Sequence, residues 1–135
     1  MKIRTTELKD KALDCAVAIA FGGANLRYDT VATWWITIDG KDRALSNGWA
    51  QSFCPSTNWQ HGGEIIDREI DSLRKRSKAE ELSLAYPNPN FKFKAEIFTD
   101  NDYFCGFGST PLIAAMRCYV TSKLGDIVDI PEELI

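Results

Sequence analysis

Apolar side chains recur along this chain with two periods, and the switches between them mark the elements. In "TELKDKALDCAVAIA", residues 6 to 20, Leu8, Ala12, Cys15, Ala16 and Ile19 form the stripe of an amphipathic helix. Thr6 is placed to cap it, Glu7 suits the positive end of its dipole, and Gly22 with Gly23 offers a stop. The period then shortens. "TVATWWITIDGKDRAL" is β-branched and aromatic, puts Trp34, Ile36 and Ile38 on one face with Trp35 on the other, and carries a hairpin turn at Asp39-Gly40. A second turn signal, Asn47-Gly48, leads into "WAQSF", a short strand. After Gly62-Gly63 the spacing of Ile66, Ile70 and Leu73 predicts a middle helix, with Glu64–Arg68 and Asp71–Lys75 as favourable pairs one turn apart.

The second half repeats the alternation. "RKRSKAEE" has mixed charge and reads as a solvated, fraying face, and "YPNPN" (86 to 90) is a breaker. In "FKFKAEIF", Phe91, Phe93, Ala95 and Ile97 alternate with Lys92, Lys94 and Glu96. That predicts a half-solvated antiparallel strand, turned by "TDND" to pair with "YFCGF". In "GSTPLIAAMRCYVTSKLGD", Ser109 or Thr110 caps a helix with Pro111 at its first position. Leu112, Ala115, Met116, Tyr119, Val120 and Leu124 are its buried stripe, and Gly125 ends it. The tail is expected to pack through Ile127, Val128 and Ile130. The class is α+β: one antiparallel sheet of four to five strands, an N-terminal and a C-terminal helix, and a short middle helix, in a single domain.

Composition narrows the function. At 135 residues and 44% apolar the chain can bury a core, and a net charge of -3 argues against affinity for nucleic acid. No stretch reaches membrane-span length, and the N-terminus lacks a signal pattern, which points to a cytoplasmic protein. Cys15, Cys54, Cys105 and Cys118 are dispersed and read as free thiols; with one histidine they make no zinc site, and the sequence implies no cofactor.

The candidate chemistry lies in two glycine-rich lead-ins, "WQHGG" and "GFGST". Open amides at a helix start bind anions, and glycine lets a ligand approach the backbone. Trp59 could stack on a planar ring while Asn58, Gln60 and His61 read its polar edge. Gly62, Gly63, Gly108, Ser109 and Thr110 would supply backbone and hydroxyl donors around a phosphorylated, nucleotide-like small molecule. Glu64, placed in the first turn, would repel a phosphate. The two loops would have to meet within one subunit or across the symmetric interface of a homo-oligomer. No spacing ties Cys54 to His61 as a nucleophile and base, so the sequence offers no complete catalytic set. Two other readings stand beside ligand binding. One is a protein–protein module anchored by Trp34, Trp35, Trp49 and Trp59; the other is a small hydrolase using His61.

These same residues carry a likeness. "STNWQHGGEIIDRE" resembles the "STDWAQGGPIIERE"-type segment of the NinX-like family of bacteriophage proteins. "GSTPLIAAMRCYVTSKLGDIVDIPEEL" is similar to that family's C-terminal block, and "RTTELKDKALDCAVAIAFG" to its "TSEL…ALDWAVA" opening. The chain departs from the pattern at Cys15, where the family has tryptophan, and at Asn58, where it tends to have aspartate. Gln60-His61 replaces Ala-Gln, and Glu64 replaces proline. The resemblance implies a phage accessory protein at work in the host cytoplasm, encoded beside recombination and replication genes; the protein–protein reading would have it dock on a host or phage replication, repair or defence enzyme. The resemblance implies a setting and not a reaction.

Overall fold

The computed structural model describes residues 1–29, 33–46, 50–81 and 90–135. The turn at Asn47-Gly48, Trp49 and most of the "YPNPN" breaker lie outside the described residues. In chain order the elements are β1 (Lys2–Arg4), a 3₁₀ turn (Thr5–Glu7), α1 (Asp10–Ala20), β2 (Ala24–Tyr28), β3 (Trp34–Ile38) and β4 (Lys41–Ala44). Then come α2 (Trp59–Glu69), β5 (Ser72–Lys75), the single turn α3 (Lys78–Glu81), β6 (Phe93–Phe98) and β7 (Tyr103–Gly108). Helix α4 (Pro111–Leu124), β8 (Ile127–Asp129) and a 3₁₀ turn (Glu132–Leu134) complete the chain. The class is α+β, with helices at the N-terminus, in the middle and at the C-terminus.

The strands form three small antiparallel sheets instead of one, in the orders β1-β8, β2-β3-β4 and β5-β6-β7. Alternation specifies which face of a hairpin is buried, but not whether two hairpins share an edge. The β3–β4 turn is as expected: Asp39 (φ 51°) and Gly40 (φ 77°) are both left-handed, the requirement of a two-residue hairpin matched to strand twist. Strand β6 pairs with β7 from Phe93↔Gly108 to Phe98↔Tyr103.

Helix α4 is buried on most sides, through Leu112, Ala114, Ala115, Met116, Cys118, Tyr119 and Val120, because α1, α2 and the β5–β7 sheet all pack against it. Its ends are those read from sequence. Thr110 Oγ1 accepts from the Ile113 amide (3.2 Å), Pro111 follows, and Gly125 (φ 89°) closes the last turn. Two glycines of β7 let the strand approach this helix: a Cβ on Gly106 would lie 2.4 Å from the Cys118 nitrogen, and one on Gly108 would lie 2.7 Å from that of Ala114.

Four expectations are corrected. Thr6 does not cap α1, which starts at Asp10. Thr5 donates its hydroxyl to the Gly125 carbonyl (2.8 Å) and its amide to that of Asp126 (2.8 Å), tying this segment to the end of α4. Leu73 does not continue the middle helix. It pairs with Ala95 in β5–β6, while Asp71 leaves its expected partner Lys75 to accept from the Phe98 amide (2.7 Å). The basic run is not a solvated helix face. Arg74 and Lys75 are in β5, and Arg76 is buried, donating to the Phe91 and Glu80 carbonyls with its guanidinium over the Phe107 ring. Ile127 is 59% exposed, since strand alternation turns only Val128 inward, with Ile130 buried beyond it.

Helix α1 ends as its glycines imply. Gly22 (φ 92°) donates to the Ile19 carbonyl and Gly23 to that of Ala18, the paired bonds that close a helix on a left-handed residue.

Candidate functional site

Helix α2 begins earlier than its sequence suggests. Asn58 is the cap, its Oδ1 accepting from the amides of Gln60 (2.8 Å) and His61 (3.4 Å), while the Gly62 amide donates to the Asn58 carbonyl. Trp59 is therefore the first helical residue, and Gly62 and Gly63 lie inside the helix instead of ahead of it. Glu64 moves with them to mid-helix, so it does not stand in the first turn.

The two glycines differ. A Cβ on Gly62 would meet the Pro55 carbonyl oxygen at 2.4 Å and Leu112 Cδ2 at 2.5 Å, whereas one on Gly63 would point into open space. Gly62 thus packs α2 directly onto Leu112 in the first turn of α4. Gly108 is buried against α4, and Ser109 and Thr110 are exposed. The Asn58 and Thr110 side chains already take up amides of the two first turns. Gly62→Ala is expected to lower stability by about 2 kcal/mol through overpacking. Gly63→Ala, one residue along, should raise it by about 0.5–1 kcal/mol by restricting the unfolded chain. Thermal denaturation of the two variants reads the opposite signs.

A cleft of about 490 Å³ opens between α2 and the β3–β4 hairpin. Gln60, His61, Glu64 and Arg68 line it from one stripe of α2, facing Asp39, Lys41 and Arg43, with Phe21 and Phe53 between them. Trp59, 58% exposed, lies on nearly the opposite side of the helix from that stripe. Of the sequence-derived site, then, Gln60 and His61 reach the cleft. Asn58 and Gly62 build the helix that presents them, and Trp59, Gly63, Ser109 and Thr110 lie elsewhere on the surface. Lys41, Arg43 and Arg68 were missed. The available signal was the i, i+2 spacing of Lys41 and Arg43, which puts both on one face of β4.

Two of the cleft cations, Arg43 and Arg68, are held on aromatic rings. The Arg43 guanidinium lies 5.1 Å from the Phe53 centroid and donates to the Gln51 and Ser52 carbonyls; that of Arg68 lies 5.5 Å from the Phe21 centroid. The His61 ring stacks on Phe53 (5.9 Å, 23°). Its Nδ1 accepts from the Cys54 amide at 3.1 Å and lies 3.8 Å from Cys54 Sγ. The fold therefore brings Cys54 and His61 together, which no sequence spacing suggested. Burial, reinforced by Arg43, pushes the His61 pKa down; burial, reinforced by Asp14, pushes the Cys54 thiol up. Both are held in their neutral forms, and a protonated buried thiol is a poor nucleophile. The Cys15 and Cys118 thiols are likewise raised, each to about 12, chiefly by burial.

A larger groove, about 630 Å³, runs beside β7 and the end of α4, lined by aromatic rings and threonines with Arg4 and Asp126 as its charged side chains. Among the described residues no group of three or more His, Cys, Asp or Glu is placed to hold a metal ion. Among them, too, no helix is long and apolar enough to cross a membrane.

The family described as "Bacteriophage P22, NinX" matches residues 4–123, from β1 nearly to the end of α4. The chain belongs to this NinX family of phage proteins. No curated protein matches it. The matched span contains α2, the β3–β4 hairpin and the cleft between them, so the whole candidate site of this NinX-family chain lies within the shared domain. The tail with β8 falls beyond it.

Proposed function

We propose that this phage protein binds a small, negatively charged, nucleotide-like molecule in the cleft between α2 and the β3–β4 hairpin, and holds it without turnover. The observation that carries this reading is the gathering of Lys41, Arg43 and Arg68 beside Gln60 and His61 in one cleft, where the three cations outnumber the two lining carboxylates, Asp39 and Glu64. Cations and amide donors converging on a concave site suit a phosphate ester. The cleft forms within one chain, so the reading needs no symmetric partner. The neutral Cys54–His61 pair supports binding over hydrolysis, since neither a thiolate nor a free ring Nδ1 is at hand. In the host cytoplasm such a module would serve to sequester a nucleotide-derived signal of anti-phage immunity.

A thermal-shift panel of mononucleotides, ADP-ribose and cyclic dinucleotides tests this. A ligand at a hundred times its Kd should raise Tm by on the order of 10 °C. The shift should shrink in Lys41→Ala/Arg68→Ala. A panel without any response overturns the reading. A second reading, docking on a host or phage enzyme, is favoured by one observation, the exposed Trp59 indole on the other side of α2. The other anchors support it less: Trp34 and Trp35 are half-buried, and Trp35 Nε1 donates to Asp29 (2.7 Å). Native mass spectrometry of protein recovered from infected cells separates the two. An intact phosphorus-containing small molecule supports the first, and a retained polypeptide that Trp59→Ala loses supports the second.

A further inference from the structure

The surrounding backbone dictates the hydrogen-bonding role of His61 in the cleft. A main-chain N–H can only donate, so the ring nitrogen facing the Cys54 amide, Nδ1 at 3.1 Å, must accept and carries no proton. The neutral imidazole then has its proton on Nε2, on the ring edge turned away from that loop. The stacked Phe53 ring fixes the plane of the imidazole, and the loop is itself fixed: Thr57 and Asn58 donate to the Cys54 carbonyl, and the Ser56 amide donates to Asp14. The residue borders the cleft beside Gln60 and Arg43.

We propose that His61 divides its two ring nitrogens, Nδ1 anchoring the Cys54 loop and Nε2–H donating to an anionic phosphate oxygen of the ligand. This deepens, and rests on, the reading of the cleft as a small-anion site. His61 is then a specificity residue for a hydrogen-bond acceptor and takes no part in proton transfer. Lys41 supplies charge attraction as a point charge and Arg68 adds donors of its own, while the imidazole supplies a bond whose direction the Cys54 loop fixes. A ligand presenting a donor at that point would meet N–H with N–H.

Nitrogen-15 NMR of the imidazole in the wild-type protein at pH 7.5 tests the first half without any ligand. The Nε2–H tautomer is expected, and an Nδ1–H tautomer or a charged ring overturns the proposal. Two variants separate the edges, because an asparagine oxygen can take the place of Nδ1 and a glutamine amide that of Nε2. His61→Asn should keep Tm within a few degrees and lose about tenfold or more in affinity for ADP, measured by calorimetry. His61→Gln should lower Tm and keep ADP affinity within about threefold. The reverse pattern overturns the division of roles, as does full ADP affinity in His61→Asn. Inorganic pyrophosphate binding with adenosine excluded assigns the acceptor to phosphate, and adenosine binding alone overturns that assignment. Wild-type protein that binds neither ADP nor pyrophosphate overturns the small-anion reading and the donor role with it, whatever the tautomer. ADP binding by the wild type with undiminished affinity in His61→Asn overturns the donor role alone.

Discussion

Gly106→Ala should destabilise this protein by about 3 kcal/mol or more, enough to lower Tm on the order of 10 °C or to leave little folded material. The added Cβ would stand 2.4 Å from the Cys118 nitrogen, 2.5 Å from the Ala114 oxygen and 2.9 Å from Cys118 Cα. All three are main-chain atoms of α4, so no rotamer change or side-chain truncation on the helix relieves the overlap. The helix has to move off the sheet, and its inner face is packed with Ala114, Ala115, Met116 and Cys118, all fully buried. Backing away opens voids along that layer, which adds cavity cost to overpacking. Denaturant unfolding checks the magnitude; a loss below about 1 kcal/mol would show that β7 and α4 can separate cheaply.

Asp14→Asn should remove a pH dependence of folding from the weakly acidic range. The Asp14 carboxyl is 5% exposed on α1 and accepts from the Ser56 amide at 2.8 Å, holding the loop before α2. Burial, with a smaller push from Asp10, raises its pKa from 3.8 to about 6 against the opposing bonds from Ser56. Between these values the folded state keeps a proton that the unfolded chain has released. This group's contribution is therefore greatest below about pH 4 and is lost as pH rises through 6. An amide keeps the acceptor oxygen and cannot ionise. Relative to the wild type, Asp14→Asn should gain up to about 3 kcal/mol between pH 4 and pH 8. Denaturant titrations across that range measure it. A difference that stays flat with pH would mean that water reaches the carboxylate.

Much of this architecture could be read before any coordinates, where the signals were local. Thr110-Pro111 and Gly125 bracket α4, Asp39-Gly40 makes the hairpin turn, Gly22 and Gly23 close α1, and the alternation of Phe93, Ala95 and Ile97 lays out β6. The misses arose where a distant partner outbid the local pattern. Leu73 fits a helical stripe until Ala95 offers a strand, and Thr6 looks like a cap until α4 takes hold of its neighbour Thr5. At α2 two signals competed. The glycine pair suggested a lead-in, but the Asn58 side chain caps two amides ahead of it, and Gly62 is spent on contact with Pro55 and Leu112. The site was half legible for the same reason. Gln60 and His61 stood out as unusual side chains in a loop-like segment, while Arg43 and Arg68 are ordinary on their own elements and gain meaning only when the hairpin faces the helix.

The two walls of the cleft are anchored separately. The hairpin is held by β2 and, through Ala44 and Arg43, by residues 51–53, while α2 is pressed at Gly62 onto Leu112 of α4. A molecule spanning from Lys41 to Arg68 would act as mortar between two blocks, and the grip on it would be set by how stiffly each block is mounted. Slow release could then arise from immobilising the hairpin as much as from the strength of any one contact.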